Sequence, residues 1–373
     1  MASLNETPSA NRIHIAFFGL RNAGKSTLVN DFTGQEIAIV SDTPGTTTDP
    51  VSKAMEILPL GPCLVTDTAG LDDEGELGAK RVEKTLGVLS TTDIAVWVGE
   101  GFEKWRGRFT VPVVEFRRGD SVEELKRKIA SVDLADAAPG LLDGLVEKGD
   151  RVVCVCPIDG SAPKGRLILP QVQLVRDCLD RHVAATVCQP EELDDVLARD
   201  CARGTLVVTD SQAFAAVRDA LARFEHANPG AQRPRLTSFS ILFARQKGDL
   251  HALCAGADAI KALKDGDTVL VSEGCTHRRQ CGDIGTVKIP KWLESYTGRK
   301  LRFEFSSGGT FALDPARLPR LVVHCGGCML TRRAVLDRIA RCSAAGVPIV
   351  NYGVAIALMH GISADPGTCL VKR

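Results

Sequence analysis

Residues 12–34 read RIHIAFFGLRNAGKSTLVNDFTG. Within them Gly19, Gly24, Lys25 and Ser26 satisfy the pattern G-x-x-x-x-G-K-[ST]. The pattern alone is moderately specific, and its setting decides the reading. The apolar run Ile13–Phe18 predicts a strand leading in, and Ser26–Phe32 predicts a helix leading out. That order makes a phosphate-binding loop. Glycines let backbone N–H groups wrap a phosphate, and the helix N-terminus adds its positive dipole end. Gly19, Asn22, Ala23, Gly24, Lys25, Ser26 and Thr27 are the candidate loop residues. Lys25 is placed to reach the β- and γ-phosphates, and the Ser26 hydroxyl to bind Mg2+.

Two further stretches extend the reading. VSDTPGTTTDPV (residues 40–51) carries Thr46, Thr47 and Thr48 after a Pro-Gly turn. One of them could add a Mg2+ ligand; equally, the run is β-rich and could simply enter a strand. GPCLVTDTAG (residues 61–70) predicts a strand ending in Asp67 and Gly70. An acid there holds Mg2+ through water, and the glycine lets backbone approach the γ-phosphate. Lys25 and Asp67 are the candidate catalytic residues. The acidic, Gly-rich LDDEGELG that follows suits a switch segment.

Loop, threonine cluster and DTAG together resemble the potassium-stimulated GTPases of the translation-factor-related class. Their loop has an Asn two positions before the last Gly, as Asn22 stands here. The resemblance implies GTP with Mg2+ as ligand and K+ held by Asn22. One part of that pattern is absent. No [N/T]-K-x-D motif, whose Asp pairs with the guanine edge, follows residues 93–130 as it should. A strand at Val111–Phe116 runs into Arg-Arg-Gly-Asp, and Ser121-x-x-Glu124 predicts a capping box for a helix over Val122–Ala130. Only five strand candidates stand where that fold has six, so a base-reading strand–helix unit is expected to be missing. Asp120 is either a substitute base reader or a helix-start acid.

Composition bounds the rest. The 373 residues predict two or three domains. Lys+Arg and Asp+Glu both number 46, so no broad basic field argues for nucleic acid. No apolar run reaches the roughly 18–20 residues that span a bilayer. MASLNETPSANR lacks a charged-then-apolar signal pattern, so a cytoplasmic protein is expected. Thirteen cysteines at irregular spacing do not read as a disulfide framework. Cys154 and Cys156, in an apolar run, and the scattered Cys63, Cys178, Cys188, Cys201, Cys254, Cys342 and Cys369 read as small core hydrophobes.

A Pro-Gly break near Ala138 predicts a boundary. Beyond it, strand and helix stretches alternate over Arg151–Cys156, Leu174–His182, Thr205–Val208 and Gln212–Phe224, with Asp210 as a helix cap. RPRLTSFSILFARQKGDL (residues 233–250) reads as a β-rich run able to pair at a sheet edge between protomers. The expected architecture is α/β in three domains. These are a P-loop GTPase-type domain (1–137), a small α/β domain placed to dimerise (138–240) and an α/β domain (241–373) that the family resemblance given below implies to bind an iron–sulfur cluster.

The last third holds the metal candidates. Cys275 and His277 follow an apolar strand at Thr268–Ser272, and His324, Cys325 and Cys328 follow another at Leu321–Val323. In Cys325-Gly-Gly-Cys328 the glycines let the backbone curl so that both sulfurs face one centre. Three thiolates plus His277 or His324 make a Cys3His zinc site. The same thiolates could instead hold three irons of a [4Fe-4S] cluster. Ligand counting alone favours zinc slightly, since Cys3His is a common structural set, and leaves the cluster open.

The C-x-H at Cys275–His277 and the H-C-x-x-C at His324–Cys328 carry a further resemblance. So do APKGRLILPQVQ, TDSQAF, LTSFSILFARQKGDL, DIGTVKIP, HCGGCM and NYGV. Along essentially its whole length the chain resembles the HydF family of [FeFe]-hydrogenase maturation GTPases. The resemblance implies a scaffold carrying a [4Fe-4S] cluster on Cys275, Cys325 and Cys328, with one iron open. It also implies a diiron precursor assembled by radical-SAM maturases and delivered to apo-[FeFe]-hydrogenase, a regulatory nucleotide site and a homodimer. Cys281, in CTHRRQCGDIG, departs from the family tendency and could close the fourth iron, in competition with His277 and Asp283. His324 is either a ligand or a support to one. The rival reading is a zinc-stabilised signalling or ribosome-assembly-type GTPase.

Overall fold

The computed structural model describes residues 9–34, 50–73, 75–134, 139–158, 165, 167–200, 204–274, 283–308 and 311–372. The chain divides into two compact units, one up to residue 137 and one from residue 138.

In the first unit β1 (Ile13–Gly19) leads through the phosphate loop into α1 (Lys25–Thr33). Next come β2 (Val51–Ile57), β3 (Gly61–Asp67), α2 (Gly75–Val88), β4 (Ile94–Val98), β5 (Val113–Phe116) and α3 (Val122–Ala130). The sheet order is β2-β3-β1-β4-β5, parallel except for the β2–β3 hairpin. β4, and β1 after His14, are apolar and buried because both of their faces are covered, as a parallel sheet requires. Phe17, Phe32, Val96, Leu125 and Ile129 fill one side; Phe18, Trp97, Phe102 and Val111 fill the other. Between β4 and β5 lie two single turns of 3-10 helix, Phe102–Lys104 and Arg106–Arg108. α3 spans the expected residues, but Ser121 at its N-cap accepts no capping hydrogen bond, so the box is not formed.

The second unit holds two four-stranded sheets over one continuous core. The first contains β6 (Arg151–Val155), α4 (Leu169–Asp180), β7 (Ala184–Cys188), α5 (Leu193–Asp200), β8 (Leu206–Thr209), α6 (Phe214–Ala227) and β9 (Arg235–Ser238). Its order is β7-β6-β8-β9, all parallel. The run 233–250 departs from its expected course. Only β9 is strand, and Phe239–Lys247 forms a helix, α7, capped by the Ser238 hydroxyl on the Ile241 N–H. Six of its nine residues are buried, five of them the apolar Phe239 and Ile241–Ala244 on more than one side of the helix, so the run carries no period to separate helix from strand. Asp210 likewise precedes a 3-10 turn rather than capping α6 with its side chain.

The second sheet follows α8 (Leu250–Ile260) and contains β10 (Thr268–Glu273), β11 (Arg302–Ser307), β12 (Leu321–His324) and β13 (Ile349–Asn351). It carries α9 (Ile289–Thr297), α10 (Arg332–Ala344) and α11 (Tyr352–Met359). The order is β11-β10-β12-β13, again all parallel. A two-stranded ribbon, β14 (Ser363–Ala364) with β15 (Val371–Lys372), closes the chain. Cys63, Cys154, Cys156, Cys178, Cys188, Cys342 and Cys369 are buried as expected, while Cys254 is partly buried and Cys201 lies outside the described residues. No helix among the described residues is long and apolar enough to cross a membrane.

Candidate functional sites

The phosphate loop is set by backbone conformation. Gly24 caps α1 at φ 86°, Asn22 is left-handed at φ 59°, and Gly19 could carry no Cβ, which would lie 2.5 Å from the Val98 carbonyl oxygen. Lys25 is buried in the loop, its Nζ donating to the carbonyls of Leu20 (2.8 Å) and Gly19 (3.3 Å). Burial pulls its pKa down against the opposing pull of Asp67, Asp72 and Asp73. At the end of β3, Asp67 is fully buried and burial raises its pKa, while the Ser26 hydroxyl donates to its Oδ2 at 2.6 Å. The other carboxylate oxygen, Oδ1, is buried with no hydrogen-bond partner. A buried lone oxygen beside a serine hydroxyl is what a hard divalent cation bound through water would satisfy, so this donor set fits Mg2+.

The DTAG segment closes over the loop. The Leu71 N–H donates to the Gly19 carbonyl at 3.2 Å, and the Arg21 N–H to Asp72 Oδ1 at 2.5 Å. A Cβ on Gly70 would stand 2.9 Å from the Arg21 nitrogen, which explains the glycine. Gly19, Asn22, Ala23, Gly24, Lys25, Ser26, Thr27, Asp67 and Gly70 therefore belong to one loop and the strand end facing it. Asn22 is exposed. Thr46, Thr47 and Thr48 lie outside the described residues.

The second site sits at the C-terminal ends of β10 and β12. These strands are the inner neighbours of the sheet in parallel register, Ser272 opposite His324, so the segments leading into Cys275 and Cys325 leave the same end of the sheet side by side. Cys275, His277 and Cys281 lie outside the described residues; Gly274, just before Cys275, donates its N–H to Cys325 Sγ at 3.1 Å. A Cβ there would meet the Leu330 side chain at 2.5 Å. Gly327 turns the loop at φ 66° and also donates its N–H to Cys325. Burial raises the Cys325 thiol, but His324 and these two N–H groups outweigh it and bring it down to about 7. Burial and the neighbouring Cys325 sulfur keep the Cys328 pKa raised, against the opposing pull of Lys247 and the Met329 N–H.

His324 is buried with both ring nitrogens engaged. Arg338 Nη1 is 2.8 Å from Nε2, and Nδ1 is 2.6 Å from the Cys325 carbonyl oxygen. A guanidinium only donates, so Nε2 accepts and Nδ1 carries the proton. Arg338 also donates to the Gly308 carbonyl and lies 5.3 Å from the Phe311 ring centroid. The site includes residues that no motif flagged. Lys247, at the end of α7, donates to the carbonyls of Leu330 (2.9 Å), Cys328 (3.0 Å) and Gly327 (3.4 Å). Burial lowers its pKa to about 8, against the pull of the Cys328 and Cys325 sulfurs. Nothing in the sequence links it to a turn some eighty residues away. Sulfurs that already receive backbone N–H groups, in a glycine-shaped turn, suit an iron–sulfur cluster, whose sulfur atoms take such bonds.

Comparison with known proteins settles the family. Residues 251–364 match the hydrogen maturase F tetramerization domain, and residues 141–248 match the hydrogen maturase F dimerization domain. The chain belongs to the hydrogen maturase F (HydF) family. Its HydF-specific segments are joined to a GTPase domain, since residues 14–134 match a family described as 50S ribosome-binding GTPase. GTPase Der of Campylobacter hominis is 40% identical over 87 residues, which is 23% of this chain and 19% of that protein. The tRNA modification GTPase MnmE of Zymomonas mobilis is 30% identical over 173 residues, 45% of this chain and 38% of that protein. The chain thus spans about a fifth to two fifths of these relatives' length. Among solved structures, Era of Aquifex aeolicus aligns with 79% of this chain and 93% of its own, at 15% identity and a TM-score of 0.25. Dimerisation and tetramerisation modules make this HydF chain part of a self-associating family; the expected pairing through the middle segment agrees with the first, and the second was not anticipated.

Proposed function

We propose that this HydF chain is a scaffold and carrier in [FeFe]-hydrogenase maturation. In this reading it holds a [4Fe-4S] cluster and a diiron precursor, receives that precursor from radical-SAM maturases, and delivers it to apo-hydrogenase. The observation that carries the reading is the shared C-terminal end of β10 and β12, where Cys325 Sγ already takes the Gly274 N–H next to Cys275. Cys275, Cys325 and Cys328 would hold three irons. When bound, the cluster supplies an open iron at which the precursor can attach. His324, with both ring nitrogens engaged, orients the Cys325 segment; before the precursor attaches, the fourth iron would take an exchangeable ligand, His277 or Asp283, whereas Cys281 there would close it. Asp283 has its own carboxylate turned to Thr286, whose N–H and hydroxyl both donate to it.

The GTPase domain regulates partner exchange in this reading. Lys25 balances charge on the β- and γ-phosphates, and Ser26 with Asp67 holds Mg2+. The Gly70 backbone senses the γ-phosphate, and Asn22 supplies an oxygen to K+. Protein purified without oxygen should be brown, absorb broadly near ~400 nm and contain about four irons per chain. Cys325→Ser should lose most of that iron. Colourless protein with stoichiometric zinc would replace the reading with a zinc-stabilised GTPase.

A further inference from the structure

The ammonium of Lys247 is an unusual neighbour for a turn bearing two sulfurs. The residue is 5% exposed, and its Nζ reaches three carbonyl oxygens of that turn. A trans peptide is planar, so its C=O and N–H point in opposite directions. The Gly327 carbonyl takes one of these bonds, which fixes the Gly327–Cys328 peptide. The Cys328 carbonyl is on Lys247, and the Met329 N–H of that peptide faces Cys328 Sγ. One cation thus fixes two peptides of the turn, the second with its donor on the side of a ligand atom, and sits beside that atom itself. The Leu330 carbonyl takes the third bond, and Arg332 Nη1 donates to the Gln246 carbonyl at 2.6 Å, tying α10 to the end of α7. A lysine used only to fill space would not need an ammonium at this depth, because a buried charge costs several kcal/mol unless paired or hydrogen-bonded.

We propose that Lys247 is a positioning residue that holds the Gly327–Leu330 turn by its carbonyls, with the Met329 N–H and its own ammonium toward Cys328, and thereby raises the reduction potential of the cluster. The inference rests on the cluster-scaffold reading above. N–H donors at sulfur and a nearby positive charge both favour the reduced, more negative state. Lys247→Met keeps the length and removes the charge and donors; Lys247→Arg keeps both.

The test is made on the full-length chain reconstituted with iron and sulfide, read by redox titration followed by electron paramagnetic resonance and by iron count. Lys247→Met is expected to load iron and to shift the reduction equilibrium at least tenfold toward the oxidised form, 59 mV for one electron. Lys247→Arg should stay within that margin of the unaltered chain. If Lys247→Met loses iron but Lys247→Arg keeps iron and potential, the proposal also stands. An unshifted potential in loaded Lys247→Met overturns it, as does loss of iron in both variants, which would mark a packing role. If the unaltered chain itself takes up no iron, the scaffold reading fails first, and the two failures are told apart.

Discussion

At the scale of single residues, two positions separate chemistry from packing. Lys25→Ala removes the cation in the phosphate loop, and GTP turnover should fall at least about a hundredfold, as loss of one preorganised charge stabiliser does elsewhere. A steady-state phosphate-release assay checks this; unchanged turnover would mean that the loop is only structural. Gly274→Ala tests shape. Its Cβ would lie 2.5–2.6 Å from Leu330 side-chain atoms, an overpacking cost of roughly 1–3 kcal/mol. Leu330→Ala alone leaves a cavity, whereas the double variant relieves the clash. Denaturant melts of the four proteins should therefore show a favourable coupling of at least about 0.5 kcal/mol; simple additivity would place Gly274 outside Leu330's reach.

At the scale of elements, the sequence resolved what has a period or a fixed motif. The loop between β1 and α1, the extent of α3, and the apolar strands β10 and β12 ahead of the two ligand segments were all legible, because glycine spacing and short apolar runs bounded by turns have one good solution, whereas the pairing of β10 with β12 came from the structure. α7 was not, since LTSFSILFARQK is rich in β-formers and the core around it decides the outcome. β7 was missed as a short strand with mostly exposed side chains. Lys247 could not be found at all, because a lysine ending an apolar run carries no sign of the distant turn it will cap. The region after β4 makes its own prediction. Only two single 3-10 turns separate β4 from β5, and no [N/T]-K-x-D stands in the sequence there. Discrimination by buried base-edge hydrogen bonds should be weak, so competition among GTP, ATP and XTP should give less than a hundredfold preference for GTP. A larger preference would mean that another residue reads the base.

At the scale of the whole molecule, two units with separate cores should answer different ligands. GTP analogue with Mg2+ at a hundred times its dissociation constant adds about 2.7 kcal/mol to the state that binds it. Calorimetry should show one transition rising with nucleotide and another responding to cluster loading. A single transition that both ligands move equally would show the units to melt as one.

The second unit has a consequence for anyone who would take the protein apart. The dimerisation and tetramerisation segments meet within three residues of each other in sequence, yet a single core runs through both sheets. Arg332 on α10 caps the end of α7, and the Thr237 hydroxyl of β9 donates to the Cys369 carbonyl near the far terminus at 2.6 Å. A cut at the boundary between the two segments would open this interior like a split fruit. Each half would present wet, sticky flesh instead of rind, so excised pieces should be recovered only when expressed together.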